Sequence, residues 1–379
     1  MKTKINNIIF TILLALCWMT QESKAIELTT LYRFNRTNVE GAIELVNSIQ
    51  TIRTSIYDFT DRKYNRKPTY INKLLKSSYL IVDFTIFSIG SYITIHEVGH
   101  ANTFDYFGQF TNFETGTIQN ASLFDLYLFS TINGSASTNG YIYISTPYKK
   151  AFISGQGTNA GYIQKNKLLQ QSLIEENISR ITLNDYVGIH LATLIYLSIK
   201  PTQSGNDFLH YIRNINLQGH TLNIDNLRTQ FILSSILSMP IKQKNETITF
   251  RKFTIGNYTF YSPELTPFLM GNAVTQQIEL FFRKNQLFSL AYEFTTFGDR
   301  SHQEITYGWY PRYKKLESKF RLTVNAKNNW YLNMSYKYNL NKKLSLMTKT
   351  FVGNSNTNAQ KRESLSKKPI ISIGLKYNI

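Results

Sequence analysis

The sequence predicts an α+β protein in which a helical unit spanning 26–240 precedes an antiparallel β unit spanning 241–379, with a leader over 1–25. Two periodicities point there. Apolar residues recur every three or four positions as far as Met239 and every second position from about Thr247 onwards, the spacings of a helix face and a strand face. Composition fits the β half, because Tyr and Phe number 25 each against 3 Trp, an excess suited to pleated, half-buried surfaces and to membrane interfaces.

The leader comes first in the chain. Lys2 and Lys4 precede an apolar run from Ile8 to Met19, and Ser23-Lys24-Ala25 places small residues third and first before a cleavage site, the pattern of a secretory signal. Cleavage leaves Ile26 as the first residue of an exported chain. The alternative, an uncleaved anchor, asks for roughly 20 apolar residues, more than this run holds. Leu16 stands before Cys17, where a lipoprotein needs a small residue. Cys17 is the only cysteine, so the exported chain is expected to have no disulfide, thiolate nucleophile or Cys-ligated metal.

Helices follow. Ala42, Leu45, Val46, Ile49, Ile52 and Ile56 share one face, and Leu168, Leu169, Leu173, Ile174 and Ile178 another. Between them, the apolar stretch Tyr79–Ile95 lacks proline and predicts a further helix. Glycine and serine cluster from Asn133 to Gly161, where Tyr141, Tyr143 and Ser145 alternate, which predicts a loop carrying a small hairpin. Asn184 or Asp185 can cap a helix running through Ile199, and Asp207–Ile215 and Asn226–Leu237 read as two more.

From Thr247 the strands take over. Phe288, Leu290, Tyr292 and Phe294 interleave small and polar residues; so do Ile305, Tyr307 and Trp309, then Phe320, Leu322 and Val324, then Trp330, Leu332, Met334, Tyr336 and Tyr338. Lys284-Asn285-Gln286, Gly298-Asp299-Arg300, Lys327-Asn328-Asn329 and Asn339-Leu340-Asn341 supply turns between them. Seven to nine antiparallel strands are expected, closed as a membrane β-barrel or stacked as a β-sandwich, since alternation does not say which face meets water. The last strand has Ile371, Ile373, Leu375, Tyr377 and Ile379 on one face and resembles the C-terminal strand of Gram-negative outer-membrane β-barrels, with an aromatic third from the end and Ile where Phe or Trp is usual. That resemblance implies an outer-membrane location.

The formal net charge is +18, and much of it lies late. From Arg251 onwards 20 Lys or Arg stand against 7 Asp or Glu, a balance of +13. Such a field attracts polyanions; for an exported barrel the expected partner is outer-membrane lipid or lipopolysaccharide, with no nucleic acid.

Chemistry is concentrated in His96-Glu97-Val98-Gly99-His100. On a helix, His96 and His100 lie one turn apart and reach one ion, while Glu97 holds a water and takes its proton. Gly99 permits close approach of a neighbouring element. The bland alternative is a buried helix with two hydrogen-bonded histidines. The pentapeptide resembles HExxH, the signature of the zincin metallopeptidases, and the resemblance implies Zn²⁺ held by His96 and His100, Glu97 as catalytic base, and a peptide or protein substrate. A third ligand is needed. Tyr106 stands where a metzincin places its last histidine, so a gluzincin-like Glu from a later helix is expected, with Glu176 the first candidate and Glu175, Asp185, His190 and His210 behind it.

Two other readings stay open. His96 to Gly108 is similar to the HExGHxxxAxxxG stretch of site-2 intramembrane proteases, with Gly108 matching, Phe104 in place of Ala and no downstream Leu-Asp-Gly. The other is a non-enzymatic surface protein with a degenerate zincin module. Asp83, alone in an apolar run, must face water, pair with a cation or orient a ligand.

Overall fold

The computed structural model describes residues 27–30, 39–65, 70–109, 111–115, 118–119, 121–133, 137–140, 146–198, 206–238, 241–244, 247–300, 303–313, 316–341, 344–353, 357–358 and 370–378. The fold is α+β, with helices in the first half and an antiparallel sheet in the second. The leader over 1–25 and the hairpin expected over 141–145 lie outside the described residues.

A short strand, β1 (Glu27–Thr30), opens the described chain. It is followed by α1 (Val39–Asn65) and α2 (Tyr70–Val82), the latter running without a break through a π-helical segment (Asp83–Ser88) into α3 (Ile89–Tyr106). Next come β2 (Thr111–Thr115), β3 (Ile118–Gln119), α4 (Leu123–Asn133) and β4 (Ser137–Gly140), whose strands form a small sheet in the order β3-β2-β4. Four helices complete this half: α5 (Pro147–Glu175), α6 (Arg180–Ser198), α7 (Asp207–Asn216) and α8 (Ile224–Leu237).

Helix α5 corrects the expected loop. It starts at Pro147, where Thr146 caps it by accepting from the Lys149 amide, and it runs through Gly155, Gly157 and Gly161, three of the glycines that predicted a break. Those glycines are points of contact: a Cβ on Gly161 would stand 2.8 Å from the Tyr92 ring. The helix gives up some intrinsic propensity for that approach, about 1 kcal/mol per glycine, and tertiary packing wins. Helix α6 also starts earlier than Asn184, because Ser179 Oγ accepts from the Thr182 amide at 3.0 Å and takes the capping role.

The apolar core joins Val46 of α1, Ile95 of α3, Phe152 of α5, Phe208 of α7, Phe231 of α8 and Leu269 of the first long hairpin of the β half, all buried. A second feature ties α1, the π segment and α6 together. The Arg53 guanidinium donates to Asp83 through Nε and Nη2, both at 2.7 Å, and to Asp185 Oδ1 at 2.9 Å, where Ser88 Oγ also donates at 2.7 Å. Of the three roles open to Asp83 it has the second: it pairs with a buried cation that satisfies it.

Strands β5 (Ile241–Lys244) and β6 (Thr247–Phe250) pair with each other alone. The rest join one sheet: β7 (Lys252–Ile255), β8 (Tyr258–Tyr261), β9 (Glu264–Leu269), β10 (Ala273–Arg283), β11 (Leu287–Gly298), β12 (Glu304–Tyr310), β13 (Leu316–Asn325), β14 (Trp330–Asn339), β15 (Leu344–Gly353) and β16 (Ile370–Asn378). More strands form than the seven to nine expected because β6, β7 and β8 are four-residue pieces. The predicted turns fall between strands, and Asn328 adopts φ 57° in one of them. The sheet's order is β1-β16-β15-β14-β13-β12-β11-β10-β8-β7, with β9 also paired to β10. Its edge strand β1 comes from the N-terminal unit and lies antiparallel to β16, Leu28 opposite Tyr377. Among the described residues the ladder ends at β7 and β1 without a bond between them.

The sheet's buried face is the polar one. Gln277, Glu279, Glu293, Glu304, Thr306 and Thr323 are buried. The helices meet this face where Lys165 of α5 pairs with buried Glu264 and Glu44 of α1 with Lys349, and the β half supplies further partners itself, Arg321 to Glu279 at 3.0 Å, and Asn358 to Glu293 and Glu304. A cavity of about 550 Å³ between α1, α5 and β13–β15 is lined by polar and charged groups such as Lys319, Asn333, Ser335 and Glu317. The apolar side chains are on the other face, in rows that follow the cross-strand register: Ile278, Tyr292, Ile305 and Val324; then Leu280, Leu290, Tyr307, Leu322 and Leu332; then Phe282, Phe288, Trp309 and Phe320. Ile278, Leu290, Tyr292, Ile305, Tyr307, Trp309 and Leu322 are exposed.

Candidate metal centre

Helix α3 carries the motif. Its residues His96 and His100 are buried, one turn apart on the face turned toward α5 and α7. Gly99 has the role expected of it: a Cβ there would meet the Gln156 carbonyl oxygen at 2.4 Å, so only glycine lets α3 and α5 pack this closely.

The histidines do not meet Glu176. That residue sits at the left-handed C-cap of α5, exposed, and pairs with Arg283 at 2.9 Å. The other candidates are also committed elsewhere or exposed. Asp185 binds Arg53, Glu175 accepts from Gln171, His190 bonds Ser235 at 3.0 Å, and His210 is exposed. The residue that joins the pair is Asp207, at the start of α7. Its Oδ2 lies 3.0 Å from His96 Nε2 and 3.1 Å from His100 Nε2, and the two Nε2 atoms are 3.1 Å apart. Two donors about 2.1 Å from one ion at tetrahedral angles stand about 3.4 Å apart, so this triangle is a slightly tighter version of one face of a coordination tetrahedron.

Hydrogen bonding sharpens the point. His100 Nδ1 donates to the Ile153 carbonyl at 2.8 Å, which orients the ring so that its Nε2 faces the centre. Without an ion, the imidazoles share their protons with Asp207: burial works against charge on both partners, yet their mutual attraction outweighs it, raising His100 to about 9 and holding the Asp207 carboxyl well below the usual carboxylate range. A cation bound there would take the place of those protons and meet the two Nε2 atoms and Oδ2.

No family model matches the chain, and no curated protein or solved structure matches it. The residues themselves carry the reading.

Asp207 is positioned by two devices. Asn206 caps α7 by accepting from the Leu209 amide at 3.2 Å, and Tyr196 of α6 accepts from the Asp207 amide at 3.1 Å while its hydroxyl donates to Oδ2 at 3.3 Å. Glu97, half-buried, is held from the opposite side. Thr138 of β4 donates to its Oε2 at 2.7 Å, so the small sheet fixes the carboxylate beside the two imidazoles.

Space for an ion comes from Gly157 of α5. A Cβ there would stand 2.6 Å from His100 Nε2 and 2.7 Å from His96 Nε2. Gly157→Ala is therefore expected to abolish metal binding while α5 keeps its helicity, alanine being the better helix former. Zinc content together with far-ultraviolet circular dichroism tests it, and a fully loaded Gly157→Ala protein would place the ion elsewhere.

Proposed function

We propose that the chain is an exported zinc-dependent metallopeptidase that hydrolyses peptide bonds and is seated in the outer membrane by its β-sheet. The observation that carries the enzymatic part is the triangle of His96 Nε2, His100 Nε2 and Asp207 Oδ2, with Glu97 on the next residue of the same helix. Two imidazoles and one carboxylate are a donor set suited to Zn²⁺ that leaves a fourth position open. When bound there, zinc acts as a Lewis acid and lowers the pKa of coordinated water towards about 7. Glu97 takes the proton as the water oxygen attacks the scissile carbonyl carbon. As the C–N bond breaks, Glu97 returns that proton to the leaving amine.

The membrane part rests on the inverted sheet. In water the apolar face of a sheet packs inward, and here it is the polar face that is buried. That is the arrangement of a membrane β-barrel, whose lipid-facing band is apolar and whose interior is polar. Strands β10, β11, β13, β14 and β15 have 10 to 12 residues, about 33 to 40 Å of extended chain, enough to cross an apolar band of roughly 25 Å at a tilt. The basic excess of the same region suits lipopolysaccharide phosphate or anionic lipid.

A site-2-protease-like enzyme is a second reading, favoured by the carboxylate ligand and by helix Lys73–Tyr106, which is long and apolar enough to cross a membrane. Both readings need the metal. Protein purified without added metal is expected to hold about one zinc per chain by elemental analysis, and a chain with no zinc would leave the non-enzymatic reading in place.

A further inference from the structure

Among the described residues the sheet stays open between β1 and its far edge, where β8–β7 and β9 both pair with β10, and helices stand beside that opening. From β10 the chain of neighbours runs through β9 to α8, from α8 to α6, from α6 to the π segment and α2, and from α2 through α1 back to β1. The elements form a continuous path of neighbours, and α3 and α5 carry buried faces beside it.

The outer surface of these helices is as apolar as that of the strands. On α8, Ile232, Leu233, Ile236 and Leu237 are exposed; on α6, Leu191 and Ile195; on α2, Leu74, Leu75, Ile81 and Val82, followed by Ile86 of the π segment. No Asp, Glu, Lys or Arg occurs from 186 to 198 or from 229 to 238. Their charges are Lys73 and Lys76 on α2, Arg180 on α6, and Asp225 and Arg228 on α8, with Asp83 and Asp185 buried against Arg53. A core helix would not look like this: only 39% of the most apolar stretch within Lys73–Tyr106 is buried. The helix α1 closes the path without adding to the apolar face; it turns toward the polar cavity.

The geometry points to a composite membrane wall: α8, α6 and the α2–π segment stand beside the strands as lipid-facing staves, and one bilayer covers both. The occupant follows from continuity. The exposed rows of β10 to β13 and the exposed residues of α8 stand on either side of β9, which pairs with β10 and packs against α8 and is itself buried apart from half-buried Leu265. A second protein on the helices alone would leave the sheet's rows in water, whereas a bilayer satisfies both with one apolar phase. The metal centre then lies inside the wall, not on a separate unit beside it.

This inference rests on the membrane reading of the sheet, and the experiment separates the two. The full chain with Cys17→Ser is given a single cysteine at Ile236→Cys, Ile195→Cys or Leu290→Cys, with Lys327→Cys at a turn as the aqueous control. Each is labelled with bimane and reconstituted in phosphatidylethanolamine–phosphatidylglycerol vesicles containing an acyl-chain nitroxide lipid. At least twofold quenching is expected at Ile236, Ile195 and Leu290 alike, with little at Lys327. Quenching at Leu290 alone overturns the helical wall and leaves the sheet in lipid. Quenching at none of the three overturns both. If a variant misfolds, an apolar photoactivatable reagent in the same vesicles is used on the unaltered chain; labelled peptides from 186–198 and 229–238 support the wall, and labelling confined to strands overturns it.

Discussion

On the proposed zinc-peptidase reading, Glu97→Gln protein should keep its zinc and lose most of its peptidase activity, whereas His96→Ala and Asp207→Asn should lose the zinc. The separation follows from what each side chain does. Glu97 is not one of the three converging donors; its carboxylate is held by Thr138 at 2.7 Å on the flank of the site. An amide in its place still accepts from Thr138 but takes no proton from water. Loss of a general base lowers the rate by about 10²- to 10⁴-fold. His96 and Asp207 each supply one of three ligand atoms, and removing either leaves two, too few for a stable tetrahedral site. Glu176→Gln is the informative control, because that carboxylate faces Arg283. It should change neither zinc nor rate. Metal analysis and cleavage of unfolded casein on the same preparations check all four. A Glu97→Gln enzyme as fast as the parent, or an Asp207→Asn enzyme with its full zinc, would end the assignment of roles.

Much of the candidate centre was legible in the sequence, and its third member, Asp207, shows where legibility stops. His96, Glu97 and His100 are close in sequence, so helical spacing alone brings them together. Asp207 lies 111 residues beyond His96, and its signal, an Asn-Asp pair at the start of a helix, is the same whether the carboxylate serves a metal or merely the helix N-terminus. Only the packing of α7 against α5 and α3 distinguishes the two. Glu176 had the right chemistry and the wrong direction, since a left-handed C-cap turns it out of the helix toward the sheet. The glycines of α5 misled for a related reason. Local propensity reads Gly155, Gly157 and Gly161 as breaks, while their role depends on Leu269, the histidines and Tyr92, none of which is near in sequence. In the β half the strands and turns were legible because period two is local. Which face lies inward was not, because that depends on what the helices bring to the sheet: α5 and α1 present Lys165 and Glu44 to its polar side.

Leu322→Arg turns that orientation into a measurement. Leu322 is exposed, in the middle of the three apolar rows, opposite Tyr307 on one side and Leu332 on the other. Were this face in water, arginine there would touch nothing that it harms, and surface changes of that kind stay within about 0.5 kcal/mol. In a bilayer the same guanidinium sits at or near the apolar midplane, where it costs about 2 to 4 kcal/mol. The two environments therefore differ by a factor of roughly 10 or more in the folding equilibrium at 1.4 kcal/mol per decade. Asn285→Arg, exposed at the turn between β10 and β11, controls for added charge and should be near neutral in either case. Urea titration of vesicle-reconstituted protein, read by the gel shift between folded and boiled forms, gives the difference. A Leu322→Arg chain as stable as the Asn285→Arg control would place the apolar rows in water, and the sheet would then need another partner for them.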